Sequence, residues 1–246
     1  MIDSHAHLTL FPLDIDAVLE RAIKNNFKAI INICLNEESL KKGLKLEKKY
    51  PFIHTAAGTH PSDVKREKNF FEIVKQYAKE KKLVAIGECG LDYHYKNIKK
   101  ELQKKTFKEY LKLAEESSLP LIIHCRDAFS DLFEIHNYKI PTVLHCFTGT
   151  IEDAKKALEK NFFISFSGIV TFKNSKDLQD IVKIVPLDHI LLETDTPFLA
   201  PQLYRGKKCE PSFLIETAKK IAEIKEEKLD KIIEITSENA IKFFSL

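Results

Sequence analysis

Six side chains that can bind metal ions lie at, or just beyond, the ends of short apolar runs in this sequence. They are His5, His7, Glu88, His124, His145 and Asp195. Imidazole and carboxylate groups together bind divalent cations and activate water for hydrolysis. Four histidines and two carboxylates exceed what one open, four-coordinate zinc ion needs, so we expect two divalent ions.

The apolar runs that end at these residues read as buried parallel strands. Eight runs occur in all, near residues 1–4, 29–33, 52–57, 83–86, 121–123, 142–144, 162–166 and 190–193. In a (β/α)8 barrel the carboxyl ends of all strands meet at one face, where side chains distant in sequence converge. The length of 246 residues also matches one such barrel. We therefore predict the α/β class and a single TIM-barrel domain over residues 1–246.

Amphipathic stretches between the runs predict the returning helices of the barrel. They span residues 14–26, 37–50, 67–82, 97–118, 128–137, 151–160 and 175–185, with two more after Glu210. Asn36 precedes two glutamates and is a candidate N-terminal cap, and Pro211 marks a later helix start. The lysine-rich stretches on these helices indicate solvated outer faces.

The motif His5-Ala6-His7 places two imidazoles on one side of a strand, where both can reach one ion. Asp3 shares that face and could orient His5. Glu88 lies between Gly87 and Gly90, and a carboxylate there can bridge two cations. Taken alone, each motif also fits a simpler structure, a packed histidine in the first case and an exposed turn glutamate in the second.

His124 and His145 each end an apolar run, and a buried histidine in such a place needs a partner. Asp195 precedes Thr196 and Pro197, so it stands at the limit of its strand. A carboxylate there can bind metal and accept a proton from water. Glu193 fits a supporting contact or an internal ion pair better than direct ligation.

Charge and cysteine content limit the class of protein. The 39 basic and 36 acidic residues give a net charge of +3, which does not indicate a broad basic surface for nucleic acid. Five cysteines without a Cys-x-x-Cys pair favour a reducing compartment. We see no signal peptide and no run long enough to span a bilayer. A cytoplasmic protein without membrane association is expected.

The chain resembles the TatD family of metal-dependent deoxyribonucleases, within the amidohydrolase-type barrels. The resemblance rests on segments spread over nearly the whole chain, at residues 3–8, 58–61, 87–93, 124–128, 145–149, 193–201 and 205–211. Cys209 stands where the family usually has asparagine, and Thr148 replaces the commoner serine.

The resemblance implies a role for each matching position. His5, His7 and Asp195 would hold one ion and His124 and His145 the other, with Glu88 bridging them. His60 would act near the scissile phosphate as a catalytic residue, alongside Asp195. Arg126 and Arg205 would bind substrate, and the paired donors of a guanidinium suit phosphate. Without the resemblance, His60 could equally be a surface turn residue and Arg126 a partner of a nearby acid.

The function implied is hydrolysis of DNA, expected as an exonuclease on single-stranded or frayed ends. Zn, Mn, Mg, Co and Ni all suit the ligands, and no obligatory protein partner is implied. An alternative is an amidohydrolase-type barrel that cleaves an amide, a lactone or a small phosphoester. Many such barrels bridge their metals with a modified lysine, whereas this chain has Glu88 there. A barrel that only binds, without catalysis, is a third possibility.

Overall fold

A computed structural model of the chain describes residues 1–10, 12, 14–67, 69–94 and 96–246. Eight parallel strands form one sheet in sequence order, each paired with the next. The strands are β1 (Ile2–Ala6), β2 (Ala29–Cys34), β3 (Ile53–Ala57), β4 (Ala85–Asp92), β5 (Leu121–Arg126), β6 (Thr142–Leu144), β7 (Phe163–Phe166) and β8 (Ile190–Leu192). A parallel bridge between Ala6 and Thr196 brings the two edges together, which confirms the predicted barrel.

Helices alternate with the strands along the chain. They are α1 (Ile15–Lys24), α2 (Glu37–Lys49), α3 (Phe70–Lys79), α4 (Lys100–Ser117), α5 (Phe129–Ile135), α6 (Ile151–Glu159), α7 (Lys176–Ile184), α8 (Leu214–Lys225) and α9 (Leu229–Phe244). Asn36 caps α2 as expected, since its side chain accepts a hydrogen bond from the Ser39 amide at 2.8 Å. None of the described helices is long and apolar enough to cross a membrane.

Alternation along the strands separates two hydrophobic clusters. One cluster lies between strands and helices, and the other includes Ile31, Ile122, Val143 and Leu191 and packs against Phe243 of α9. Side chains on a strand alternate between its two faces, and those of the first cluster face the surrounding helices. The strand residues of the second cluster therefore face the barrel interior. His124 follows Ile122 by two positions and therefore continues this inner face toward the carboxyl ends.

The predicted end of β4 was wrong. The sequence indicated a strand that stops near Ile86, but the strand continues to Asp92 and includes Glu88. Its register against β5 shifts between Ile86 and Cys89. Gly87 and Gly90 permit this path: both have positive φ, and a Cβ atom on Gly90 would lie 2.1 Å from the His124 carbonyl oxygen. The strand can therefore approach β5 closely on either side of Glu88.

Candidate metal centre

The barrel brings all six predicted metal-binding side chains together from positions in, or shortly after, β1, β4, β5, β6 and β8. Closure between β1 and the residues after β8 places Asp195 beside the His-x-His motif, because the Asp195 amide donates to the His5 carbonyl at 2.9 Å. His7 lies just beyond β1, and its amide donates to the Thr196 carbonyl at 2.8 Å. Two backbone hydrogen bonds thus fix the first group of ligand candidates.

His5, His7 and Asp195 form this first group. The Nε2 atoms of His5 and His7 are 3.3 Å apart. Asp195 Oδ1 lies 3.7 Å from the first and 3.4 Å from the second. All three residues are buried and could hold one metal ion between them.

Glu88 contacts both sides of the centre with different oxygens. Its Oε2 lies 3.3 Å from His5 Nε2 and 3.5 Å from His7 Nε2. Its Oε1 lies 3.1 Å from His124 Nδ1 and 3.1 Å from His145 Nε2. One buried carboxylate therefore contacts imidazole nitrogens on both sides. The two sides are close together, because the His5 and His145 rings stack with their centres 4.0 Å apart, and His5, Glu88 and His145 also fit the spacing of a metal site.

The second group consists of Glu88, His124 and His145, and His60 borders it. His124 Nδ1 and His145 Nε2 are 3.2 Å apart. His60 Nε2 lies 3.5 Å from Glu88 Oε1, so Glu88, His60 and His124 also fit the spacing of a metal site. The ligand set predicted for the second ion is thus together, with one further imidazole within reach.

The donor set suits a cation. Glu88 Oε2 is buried and has no hydrogen-bond partner among the described residues, although it points at the nitrogens of His5 and His7. An unpartnered buried carboxylate oxygen is costly unless a cation balances it. Burial would raise the pKa of Glu88, but the facing imidazoles of His145, His60 and His124 hold it well below its usual range. The carboxylate is therefore ionised and available as a ligand.

The electrostatics of the histidines respond to the same carboxylates. Burial acts to lower the pKa of His7, yet Asp195 and Glu88 reverse this and raise it. The pKa of His145 is raised well above its usual value, because Glu88 and Glu193 outweigh burial. A divalent cation would balance the negative charge of these carboxylates, so that neither the His7 ring nor the His145 ring would need an extra proton.

Two carboxylates behind the centre orient the ligand candidates. Glu193 Oε1 lies 3.3 Å from His145 Nδ1, and its other oxygen accepts a hydrogen bond from Ser165. Asp92 Oδ2 lies 3.0 Å from His124 Nε2, so the opposite nitrogen of that ring faces Glu88. The sequence prediction did not identify Asp92 as a supporting residue. The signal that could have indicated it is its position as the carboxylate that ends the motif Gly-Glu-Cys-Gly-Leu-Asp.

Asp3 does not orient the His5 ring in the way that the sequence indicated. Its Oδ1 accepts hydrogen bonds from the backbone amides of His5, at 3.3 Å, and Thr194, at 2.9 Å. Its Oδ2 accepts from the Thr194 hydroxyl at 2.5 Å. Asp3 therefore joins β1 to the chain after β8, while His5 Nδ1 has no hydrogen-bond partner among the described residues.

The predicted substrate-contacting residues differ in exposure and surroundings. His60 is half-buried and lies beside the metal centre. Arg126 is also half-buried and ends β5, two residues after His124. Arg205 is exposed, and its guanidinium carbon lies 4.5 Å from the centre of the Phe172 ring. Cys209 is buried, and its amide donates to the Pro197 carbonyl at 3.0 Å.

Comparison with known proteins adds relatives over the whole chain. The sequence model of the family described as TatD related DNase matches residues 2–245. YabD of Bacillus subtilis, described as an uncharacterized metal-dependent hydrolase, is 38% identical over 253 residues, which cover 100% of this chain and 99% of that protein. YcfH of Escherichia coli, described in the same words, is 33% identical over 255 residues, covering 100% and 96%.

Solved structures give the same relationship. YjjV, a TatD homologue from Escherichia coli, superimposes with a TM-score of 0.93 at 26% identity, covering 100% of this chain and 98% of that one. A TatD family hydrolase from Entamoeba histolytica gives a TM-score of 0.86 at 27% identity, covering 99% and 97%.

Proposed function

This chain belongs to the TatD related DNase family of metal-dependent hydrolases, and from that membership we propose that it hydrolyses phosphodiester bonds of DNA. We propose two divalent ions as its cofactors. His5, His7 and Asp195 would hold one ion, His124 and His145 the other, and Glu88 both. Zn, Mn, Mg, Co and Ni remain candidates.

The observation that carries this proposal is the position of Glu88. Its two oxygens face different imidazole nitrogens, at 3.3 Å on the His5 side and 3.1 Å on the His124 side. A single carboxylate in this place supports a pair of ions, and paired ions suit a phosphodiester, which develops charge on several oxygens at once. Bound ions would lower the pKa of an attacking water and neutralise charge on the phosphate.

Asp195 is suited to accept the proton of the attacking water. Burial would raise the pKa of Asp195, but its contacts with His7 and His5 lower it, so the carboxylate is ionised. It stands at the edge of the first group, with Oδ1 3.4 Å from His7 Nε2. A general base must lie within hydrogen-bond reach of the proton that it takes, and a water bound beside Asp195 Oδ1 would meet this condition.

His60 is suited to donate a hydrogen bond toward the leaving oxygen. The Ser62 amide donates to His60 Nδ1 at 3.1 Å, which makes Nδ1 an acceptor. The neutral ring then carries its proton on Nε2, the atom that faces the centre. Burial lowers the pKa of His60 to about 4, so the ring is neutral near pH 7. Arg126 would add paired donors to the phosphate oxygens.

The substrate form follows from the depth of the centre. His5, Glu88 and His145 are buried, so a phosphate must enter the mouth of the barrel to meet them. We infer that a stacked duplex cannot bring its phosphate to this depth, whereas a single strand or a frayed end can be extruded into such a site. We therefore propose single-stranded ends as the substrate.

Product analysis on single-stranded DNA tests this proposal. Oligonucleotides labelled at the 5′ or the 3′ end would be incubated with metal-free protein and a series of added divalent metals. We expect metal-dependent release of nucleotides from one end, and the labels report the polarity. Parallel assays with amide, lactone and small phosphoester substrates test the alternative. Turnover of a lactone or an amide without any release of nucleotides would overturn the proposal.

A further inference from the structure

The loops after β7 and β8 pack into one wall at the mouth of the barrel. A Cβ atom on Gly168 would lie 2.3 Å from the Leu199 carbonyl oxygen, so the two loops touch at their backbones. The Gln202 amide donates to the Thr171 hydroxyl at 2.7 Å. The β8 part of this wall directly follows Asp195, and contacts within the chain hold the wall in place without a substrate.

Two large apolar side chains project from this wall. Phe198 is 44% exposed, and its ring centre lies 6.1 Å from that of His7 in an edge-on arrangement. Leu203 is 68% exposed. Its neighbour Tyr204 stacks on Phe213 at 3.8 Å, which fixes the turn that carries Leu203. An exposed ring therefore stands one side chain away from the candidate metal centre.

Basic side chains follow on the same segment. Arg205, Lys207 and Lys208 lie within four residues, in a chain whose net charge is only +3. Among the described residues, no carboxylate forms an ion pair with any of the three. Glu210, the nearest acid along the chain, is bound by Arg21 with a closest nitrogen–oxygen distance of 2.6 Å. Their contacts are with an aromatic face or a carbonyl oxygen: Arg205 lies over Phe172, Lys207 over Tyr204, and Lys208 donates to the Pro12 carbonyl at 3.3 Å. The segment therefore keeps a net positive charge at the rim.

We propose that Phe198 and Leu203, beside the substrate-binding candidate Arg205, form a rim platform that binds the nucleotide next to the scissile phosphate. A base would stack on Phe198, Leu203 would add a second apolar contact from the same wall, and a neighbouring phosphate would contact Arg205. Stacking on an exposed ring tolerates any base, and nearby cations suit the sugar-phosphate backbone. This inference rests on the proposed function, because it names how the same site holds a single strand. The exposed cations favour nucleic acid over a protein partner.

Binding without turnover tests the platform. A fluorescein-labelled single-stranded oligonucleotide with phosphorothioate linkages would be titrated with the metal-loaded protein and followed by fluorescence anisotropy. We expect Phe198→Ala to weaken binding roughly 5- to 150-fold, the range of one lost base stack. Leu203→Ala should weaken it less. Ile184→Ala, at an exposed apolar residue that ends α7, is the matched control and should leave the affinity unchanged.

An abasic oligonucleotide of equal length separates stacking from folding defects. It keeps the phosphates and removes the bases, so wild-type protein and Phe198→Ala should bind it equally. Equal binding of the normal oligonucleotide by wild type, Phe198→Ala and Leu203→Ala would overturn the platform and favour a protein contact at this rim. Platform-dependent binding without cleavage of normal DNA would overturn the proposed function alone, whereas cleavage without platform dependence would overturn this inference alone.

Discussion

Replacing Asp92 by asparagine should move a proton on the His124 ring and weaken the metal site that this ring faces. Asp92 Oδ1 accepts from the His94 amide at 2.9 Å, and Oδ2 lies 3.0 Å from His124 Nε2. A carboxylate can only accept, so His124 carries its proton on Nε2 and presents the Nδ1 lone pair to Glu88. Burial would raise the pKa of Asp92, but the bond to His124 lowers it, which keeps the carboxylate ionised.

Asparagine has nearly the same shape but a different hydrogen-bonding capacity. Its oxygen can keep the bond from the His94 amide, which turns the NH2 group toward His124 Nε2. That nitrogen must then accept, so the ring proton moves to Nδ1 and blocks the lone pair that a metal would use. Since Asp92 is 2% exposed, water cannot readily take over its role.

The expected loss of metal affinity follows from these contacts. Carboxylate partners of metal-binding histidines are worth about 10- to 100-fold in affinity, or roughly 1.4 to 2.7 kcal/mol. The assay is calorimetric titration of metal-free protein with Zn²⁺ or Mn²⁺, in which one of the two binding events should lose affinity and the other should change little. The melting temperature of the metal-free variant checks that the fold is intact.

Asp127→Asn is a matched control. Its carboxylate is 66% exposed and lies 3.7 Å from His94 Nδ1, so the same substitution there should leave metal binding unchanged. If Asp92→Asn binds metal within about twofold of wild type at every site, then Asp92 does not set the His124 tautomer and the reasoning is refuted.

Three further predictions concern catalysis and stability. Asp195→Asn should lower kcat at least about 100-fold, because an amide cannot accept the proton of water; unchanged turnover would exclude Asp195 as the base. Burial lowers the pKa of His136 from 6.5 to about 4, so the unfolded chain binds a proton that the folded one excludes. The contribution of His136 to the free energy of unfolding should thus be fully present above pH 6.5 and should fall by about 3 kcal/mol toward pH 4. In urea unfolding measured over this pH range, His136→Gln should lack that part of the fall in the free energy of unfolding. Gly90→Ala should destabilise the fold by about 3 kcal/mol or more in the same assay, because φ is positive and the new Cβ would meet the His124 carbonyl. Gly206→Ala, with positive φ but no atom within 4 Å, should cost only about 1 kcal/mol.

Much of the fold could be predicted because its signals are local. Every predicted strand has a counterpart among β1 to β8, since short apolar runs bounded by polar residues can be buried in few other ways. The exception in detail was β4. Its extension from Ile86 to Asp92 depends on how Gly87 and Gly90 approach β5, which lies more than 30 residues further along the chain. No local pattern carries that information.

The candidate site divides in the same way. The sequence by itself determined the kinds of ligand and which strand carries or precedes each one, because residue type and strand periodicity are local properties. Only the tertiary structure decided which atoms meet. Glu88 Oε1 and His145 Nε2 are 57 positions apart in the chain, and Asp92 and His124 are 32 apart. The choice between Nδ1 and Nε2, and the placement of Phe198 beside His7, depend on side-chain rotation against neighbours that closure of the barrel supplies.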